Sequence, residues 1–326
     1  MMTDTKNKIN VKKNKNHTAF DISGRIYAFI SMAVIICVFL FILIVIFWYG
    51  RGVLSLDFLT KEPNPSALDA ESGGILTPIV GTFILTVTGI IIAFPFALAT
   101  AVYLCFYTKK GIFKTMVKSA VDILAGVPTI VIALFALAVF TMPQMGFLSA
   151  LVKVEDINGN ILSVRSYGRS FLVCGITMAV MILPFVIKSM EEALKTVPQS
   201  YMDAALALGA GKWRAIYKVV LRAARDGLVT GVILGMGRIV GDTAIVWLTL
   251  GGSIRMTGNQ PWYLPENWLS TLKNSGGTLT TYIYYASPAG EGDKFDVAFG
   301  ASIVLIAIII ILNTAAAAIG KAGTKK

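Results

Sequence analysis

Apolar residues in this chain gather into six long runs, separated by stretches of polar and charged residues. The runs cover residues 26–48, 77–106, 117–141, 171–190, 227–250 and 297–319. Each is close to or longer than the roughly 20 apolar residues that a helix needs to cross the hydrocarbon layer. Backbone groups in lipid must find partners within their own segment, so these runs predict helices rather than strands. The second is long enough to tilt, or to begin as an interfacial segment. The pattern predicts an all-α integral membrane protein with six transmembrane helices. An N-terminal tail (1–25) leads into the first helix (26–48) and a loop (49–76). Five helices follow in a core at 77–319, with polar loops at 191–226 and 251–296, and a short tail (320–326) closes the chain.

Composition agrees with this pattern. The 326 residues are 56% hydrophobic and 14% charged, against about 25% charged in soluble domains. The net charge of +11 would suggest nucleic acid in a soluble protein, but no basic, aromatic surface remains outside the apolar runs. The charge instead sorts by side. Twenty lysines and arginines lie in the two tails and in the second and fourth loops, against eight in the other loops. By the positive-inside rule the richer side is cytoplasmic, and both termini share it. Cys37, Cys105 and Cys174 sit in apolar runs without ligand spacing or an evident disulfide pattern, so they read as packing residues. His17 alone builds no metal site, and no cleavable signal peptide is expected. Residues 1–20, rich in Lys and Asn, are expected to be disordered.

Two stretches carry candidate chemistry. The loop 191–226 is long, charged and helix-forming. Pro198 divides it, Ser200 is a candidate N-cap with Asp203 three residues on, and Ala204, Ala205, Ala207 and Leu208 favour helix. Gly209 and Gly211 break that helix, and Lys212–Leu221 starts another. Such a segment suits a groove on another protein, or lies as an amphipathic helix on lipid headgroups. The fifth run holds Arg238 and Asp242, charges that are costly in a membrane and usually face a partner or an aqueous path. Four residues apart, they share one helix face. Either they form a mutual salt bridge, or Arg238 faces the path and binds an oxyanion through parallel hydrogen bonds. Asp242 would then orient it, or accept a hydrogen bond from a protonated oxyanion. Gly231, Gly235, Gly237 and Gly241 read as sites of close helix approach. The aromatic residues of loop 251–296, among them Trp262, Trp268 and Tyr285, form an interfacial belt or a docking face.

The spacing Asp203-Ala204-Ala205, Gly209, Val219 and Leu221 resembles the "EAA" loop of ABC-importer permeases, with Asp for Glu, Val for Ile, and Arg222 where the family has proline. Gly237-Arg238-Ile239-Val240-Gly241-Asp242-Thr243 resembles the Gly-Arg-x-x-Gly-Glu-Thr signature of phosphate-importer permeases. Leu124-Ala125-Gly126-Val127-Pro128 and Gly73-Gly74-Ile75 are similar to further segments of that branch. Of its two subunit types the chain is more similar to PstA, through Asp242-Thr243-Ala244 and Ser287-Pro288. The resemblance implies a MetI-like, type I permease with Arg238, Asp242 and Thr243 on the translocation path, and with Asp203, Ala204, Ala205, Gly209, Val219 and Leu221 docking an ATPase. It implies a heterodimer with a second, PstC-like permease, two PstB-like ATPase subunits, and an extracytoplasmic, PstS-like phosphate-binding protein. The chain has no phosphate loop: Gly211-Lys212 is followed by Trp213 and Gly320-Lys321 by Ala322, so ATP hydrolysis is expected in a separate chain. No cofactor is expected on this one. Import of sulfate or molybdate, secondary anion transport and a scaffold role remain alternatives.

Overall fold

The computed structural model describes residues 15–63, 73–108, 111–155, 161–165, 168–253, 256–290 and 292–322. The expectation of a disordered tail at 1–20 falls largely on 1–14, outside the described residues, as do 64–72 of the first loop and 323–326 of the last tail. The chain divides into two units, Met1–Tyr49 and Gly50–Lys326.

The first unit is helix α1 (Lys15–Gly50, completed by the first residue of the second unit). Its residues from Met32 to Tyr49 are apolar around the whole circumference. That property marks a buried or membrane helix rather than an amphipathic surface one.

The second unit is built on helices α3 (Leu76–Val102), α6 (Phe171–Lys195), α10 (Arg225–Gly241) and α14 (Phe295–Ala322), numbered in chain order with α2 at Leu56–Thr60. α3 packs on α6, α6 on α10 and α10 on α14. Lipid supplies no hydrophobic force between helices, so close van der Waals packing must hold them, and small residues make it possible. α3 offers Ala93, Ala97 and Ala101 to a core that α6 fills with Met178, Ile182, Val186 and Met190. Gly89 of α3 backs onto Ile239 and Met178, and Gly175 of α6 onto Thr88.

Of the five glycines of α10, Gly227 backs onto Ala193, and the other four divide into two pairs. A Cβ on Gly235 would stand 3.0 Å from Val186 and 3.2 Å from Ile182, and one on Gly231 3.2 Å from Ser189. One on Gly237 or Gly241 would meet nothing within 4 Å. Gly231 and Gly235 therefore serve close helix approach, whereas Gly237 and Gly241 lie on an open face. Gly235→Leu is expected to cost about 1–3 kcal/mol by overpacking and to lower the thermal midpoint of the purified protein. Gly237→Ala is expected to leave that midpoint unchanged.

Two of the six apolar runs are not single straight helices. Within 117–141 the chain forms α4 (Ile112–Gly126) and α5 (Thr129–Phe140), bent by 100° at Val127-Pro128. Val127 is extended, at φ −71° and ψ 128°, as the residue before a proline prefers. Within 227–250, α10 ends at Gly241 and α11 (Ala244–Thr249) begins after Asp242-Thr243. Among the described residues, four helices are long and apolar enough to cross a membrane, or five if the bent pair is one span. With its 17 residues, α10 reaches about 25 Å, short of the roughly 30 Å hydrocarbon core; the chain beyond its break extends that reach.

The remaining elements lie in the segments between these helices. Strands β1 (Leu151–Glu155) and β2 (Ile161–Arg165) pair antiparallel, Leu151 opposite Arg165, the one departure from an all-helical chain among the described residues. Helices α12 (Pro265–Lys273) and α13 (Leu279–Ala286) occupy the loop before α14. Thr82 of α3 accepts a hydrogen bond from the Leu279 N–H at 3.0 Å and donates to Pro78 O at 2.8 Å. Around it, Phe58, Ile75, Leu279, Val297 and Ala301 form a second core cluster. The aromatic residues of this region split into two groups. Trp247 of α11 packs on Tyr285 and Tyr284, with centroids 4.5 and 5.1 Å away. Trp262 and Trp268 wall an apolar cavity of about 460 Å³ against Phe83, Val87 and Ile91 of α3.

Candidate functional site: a path arginine and a docking loop

Arg238 lies on the open face of α10 and is exposed, as is Leu234 one turn earlier. Its Nε donates to Met181 Sδ at 2.9 Å, and its guanidinium carbon stands 4.2 Å from the centre of the Phe185 ring. Both neighbours come from α6, four residues and so one helical turn apart. A thioether is a weak acceptor and a ring face holds a cation without using its N–H groups. The two Nη groups have no hydrogen-bond partner among the described residues, so the side chain is held in place with its planar fork available.

Asp242 does not neutralise it. The expected shared face ends at Gly241, and Asp242 is extended (φ −85°, ψ 130°). Its carboxylate accepts from the Ile245 N–H at 2.8 Å, and its carbonyl accepts from Thr280 Oγ1 at 3.3 Å. No salt bridge within 4.0 Å joins Asp242 to Arg238 among the described residues, so the mutual ion pair is corrected. The physical reason is local: a short acidic side chain capping the next N–H groups competes with continuing the helix. Thr243 follows at the break, half-buried; its carbonyl accepts from the Trp247 N–H at 2.9 Å.

The polar loop folds as a helical arm. α6 ends at Lys195, and Pro198 precedes α7 (Gln199–Ala207). The helix starts at Gln199 with no side-chain cap, so Ser200 is not the N-cap that the spacing predicts. Proline's fixed φ begins the helix instead. Asp203 and Ala204 are exposed, with Asp203 Oδ1 3.5 Å from Gln199 Nε2. Met202 is buried and Ala205 packs beside it on the main core, which fixes the arm to the bundle. Gly209 closes α7 at φ +80°. Its N–H reaches Leu206 O at 2.9 Å, and the Ala210 N–H reaches Ala205 O at 3.1 Å. This double closure needs a left-handed residue, which only glycine adopts freely, and it explains a glycine six positions after the acid. The turn leaves Leu208 89% exposed at the tip. The return arm runs as α8 (Lys212–Ala215), a π turn at Ile216–Val220 and α9 (Leu221–Ala223). Val219 and Leu221 are half-buried on it. Arg222 continues the helix where proline was the expected residue, and α10 begins three residues later.

Residues 93–323 match the family described as binding-protein-dependent transport system inner membrane component. The chain belongs to this family. It is similar to the phosphate transport system permease protein PstC of Xylella fastidiosa (strain 9a5c), 28% identical over 82% of this chain and 78% of the relative. It is equally similar, at 28%, to the phosphate transport system permease protein PstA of Haemophilus influenzae, over 81% of this chain and 82% of the relative. Its fold matches a chain of a bacterial alginate ABC transporter, solved in complex with an alginate pentasaccharide-bound periplasmic protein, with a TM-score of 0.60 at 14% identity over 92% of this chain and 94% of that one. The protein is thus a multi-pass membrane permease, a transporter subunit of the ABC-importer type.

The permease also carries an ion cluster that the hydropathy reading passed over. Glu191, nearly buried at the end of α6, receives Lys118 of α4 and Lys195 on the same oxygen, each at 2.8 Å. Lys188 pairs with Asp122 at 2.6 Å beside it. Lys118, Asp122, Lys188 and Glu191 line a cavity of about 150 Å³. The i, i+4 spacing of Glu191 and Lys195 was legible, but nothing local in the sequence points to Lys118. The cluster ties the root of the helical arm to the bent α4–α5 pair. Glu191→Gln is expected to weaken that tie by about 1–3 kcal/mol, seen as a lower thermal midpoint and faster proteolysis within 196–211.

Proposed function

We propose that this permease forms half of the translocation path of an ATP-driven importer of inorganic phosphate. The single observation that carries the reading is Arg238, held by a ring face and a thioether, with its two Nη groups unpaired among the described residues on the open side of α10. Two parallel N–H donors match two oxygens of a phosphate, and no carboxylate has to be displaced first. Asp242 and Thr243, at the helix break one turn on, line the same stretch of path. The matched relatives' names, the phosphate transport permeases PstC and PstA, support the choice of phosphate over other oxyanions.

In this reading a second, PstC-like permease covers the open face of α10, and this chain is the PstA-like partner, on the strength of Asp242-Thr243-Ala244. Asp203, Ala204, Ala205, Gly209, Val219 and Leu221 build the arm that one of two PstB-like ATPase subunits grips. A PstS-like binding protein delivers phosphate from outside. ATP is bound and hydrolysed on the ATPase chains, and this chain needs no cofactor of its own. Both termini and the arm lie on the cytoplasmic side, where the lysines and arginines concentrate. ATP shifts the path between outward and inward access by binding one state better than the other.

Labelled-phosphate uptake tests this in cells lacking other phosphate importers and carrying this chain with its three partner proteins. Uptake is expected to be displaced by excess phosphate and unaffected by excess sulfate or molybdate. Displacement by sulfate or molybdate at the same concentration would overturn the substrate assignment.

A further inference from the structure

A second groove, unconnected with Arg238, runs along the outside of α3 next to the return arm of the loop. It has a volume of about 520 Å³ and is almost wholly apolar. One wall is α3 and its π turn, from Phe94 through Leu98 and Ala99 to Tyr103 and Tyr107. From residue 94 to 107 that wall follows about 20 Å of helix, so the groove is elongated along the span. The other wall is Trp213, Tyr217 and Leu221, spaced one turn apart on the return arm. The Trp213 and Tyr217 rings stack at 6.4 Å and are 62% and 60% exposed.

The mouth of the groove is basic. Lys212 Nζ stands 4.6 Å from the centre of the Tyr107 ring and donates to Phe106 O at 2.5 Å, which fixes the ammonium at the end of the α3 span. Arg214 and Lys218 are exposed on the same arm. Lys114 sits on the first turn of α4, whose Phe113 ring meets the Tyr103 ring at 6.1 Å. Among the described residues no aspartate or glutamate lines the groove. Tyrosine and tryptophan favour the headgroup level of a bilayer, and basic pockets beside transmembrane helices favour anionic headgroups.

We propose that this groove binds one anionic phospholipid, with an acyl chain along Phe94, Leu98 and Ala99 and its phosphate among Lys212, Arg214, Lys218 and Lys114. The elongated apolar floor matches a chain lying parallel to the span, and the charge at one end matches a phosphodiester. Free phosphate has no use for the floor, which commits the site to lipid. The lipid then braces the return arm against α3, at the root of the segment that carries Val219 and Leu221.

The test uses the assembled transporter in nanodiscs containing equal phosphatidylglycerol and phosphatidylcholine, released into the gas phase for native mass spectrometry. Wild type is expected to retain one phosphatidylglycerol with about tenfold preference, which corresponds to about 1.4 kcal/mol. The Lys212→Gln, Arg214→Gln, Lys218→Gln triple variant is expected to retain both lipids equally. Ala99→Trp, which fills the exposed floor and leaves the charges, is expected to reduce retention of phosphatidylglycerol at least about fivefold. Membrane level and thermal midpoint report the fold of each variant. Equal retention of the two lipids by wild type, an unchanged preference in the triple variant, or displacement of the lipid by millimolar inorganic phosphate would each overturn the proposal. Retention seen only after the partner chains are stripped away would also overturn it, because a partner would then occupy the groove. None of these outcomes depends on which solute the importer carries.

Discussion

Arg238→Gln is expected to reduce ATP-driven phosphate uptake by about 30- to 150-fold while leaving the membrane level of the permease unchanged. The size follows from losing a charge-assisted, two-point contact worth about 2–3 kcal/mol, at roughly tenfold per 1.4 kcal/mol. Folding should be spared because the guanidinium holds no structural carboxylate: its contacts are the Met181 sulfur and the Phe185 ring. Arg238→Lys should recover part of the loss, since it keeps the charge but not the planar fork. Asp242→Asn has a different expected profile. It retains an oxygen for the Ile245 N–H, so the break between α10 and α11 persists and any loss of uptake reports charge alone. Uptake measured at matched membrane levels checks all three. Undiminished uptake by Arg238→Gln would make that arginine a packing residue.

The second large effect is expected at the tip of the arm. Leu208 is 89% exposed and touches no core, so Leu208→Asp should leave the permease folded. If the tip fills a groove on the ATPase, placing a charge there removes an apolar anchor of the kind that contributes 2 kcal/mol or more. Binding of the ATPase is then expected to fall by about 30-fold or more. Gly209→Val acts through the backbone instead. A Cβ there meets nothing within 4 Å, but a β-branched residue at φ +80° costs at least about 1–2 kcal/mol. The double closure of α7 should loosen, and ATP hydrolysis should continue while phosphate uptake falls. Co-purification of the ATPase, together with hydrolysis and uptake on the same preparation, separates these two outcomes. Both variants behaving as wild type would leave the arm as a lipid-facing helix without a coupling role.

Much of this arrangement was legible in the residues. The long apolar runs found helices, Pro198 and Gly209 marked the ends of α7, and the intramembrane arginine stood out because a charge there needs a reason. Hydropathy averages over a window, however, and carries no direction. It joined α4 and α5 across Val127-Pro128, although the residue before a proline avoids the helical region and the pair bends by 100°. It likewise ran α10 through Asp242, where a capping hydrogen bond to Ile245 stops the helix. The pairing of Arg238 with Asp242 rested on continuous helical spacing and failed with it. Met181 and Phe185, the residues that hold Arg238, look like ordinary apolar positions of α6. Only packing shows that α6 turns that face toward α10. Lys118 is more than seventy residues from Glu191 in the chain, so no local pattern could join them. The division of the α10 glycines into three packed and two open also depended on knowing which face α6 covers.

The most direct test is phosphate accumulation in sealed vesicles holding the reconstituted transporter, with the binding protein on one side and ATP supplied on the other. Phosphate is expected to accumulate against its gradient only when ATP is present on the arm's side and the binding protein on the opposite side. Accumulation should stop when the ATPase subunits are left out. Phosphate accumulation without ATP or ATPase, driven by an imposed ion gradient, would contradict the proposed function and make this chain a secondary transporter.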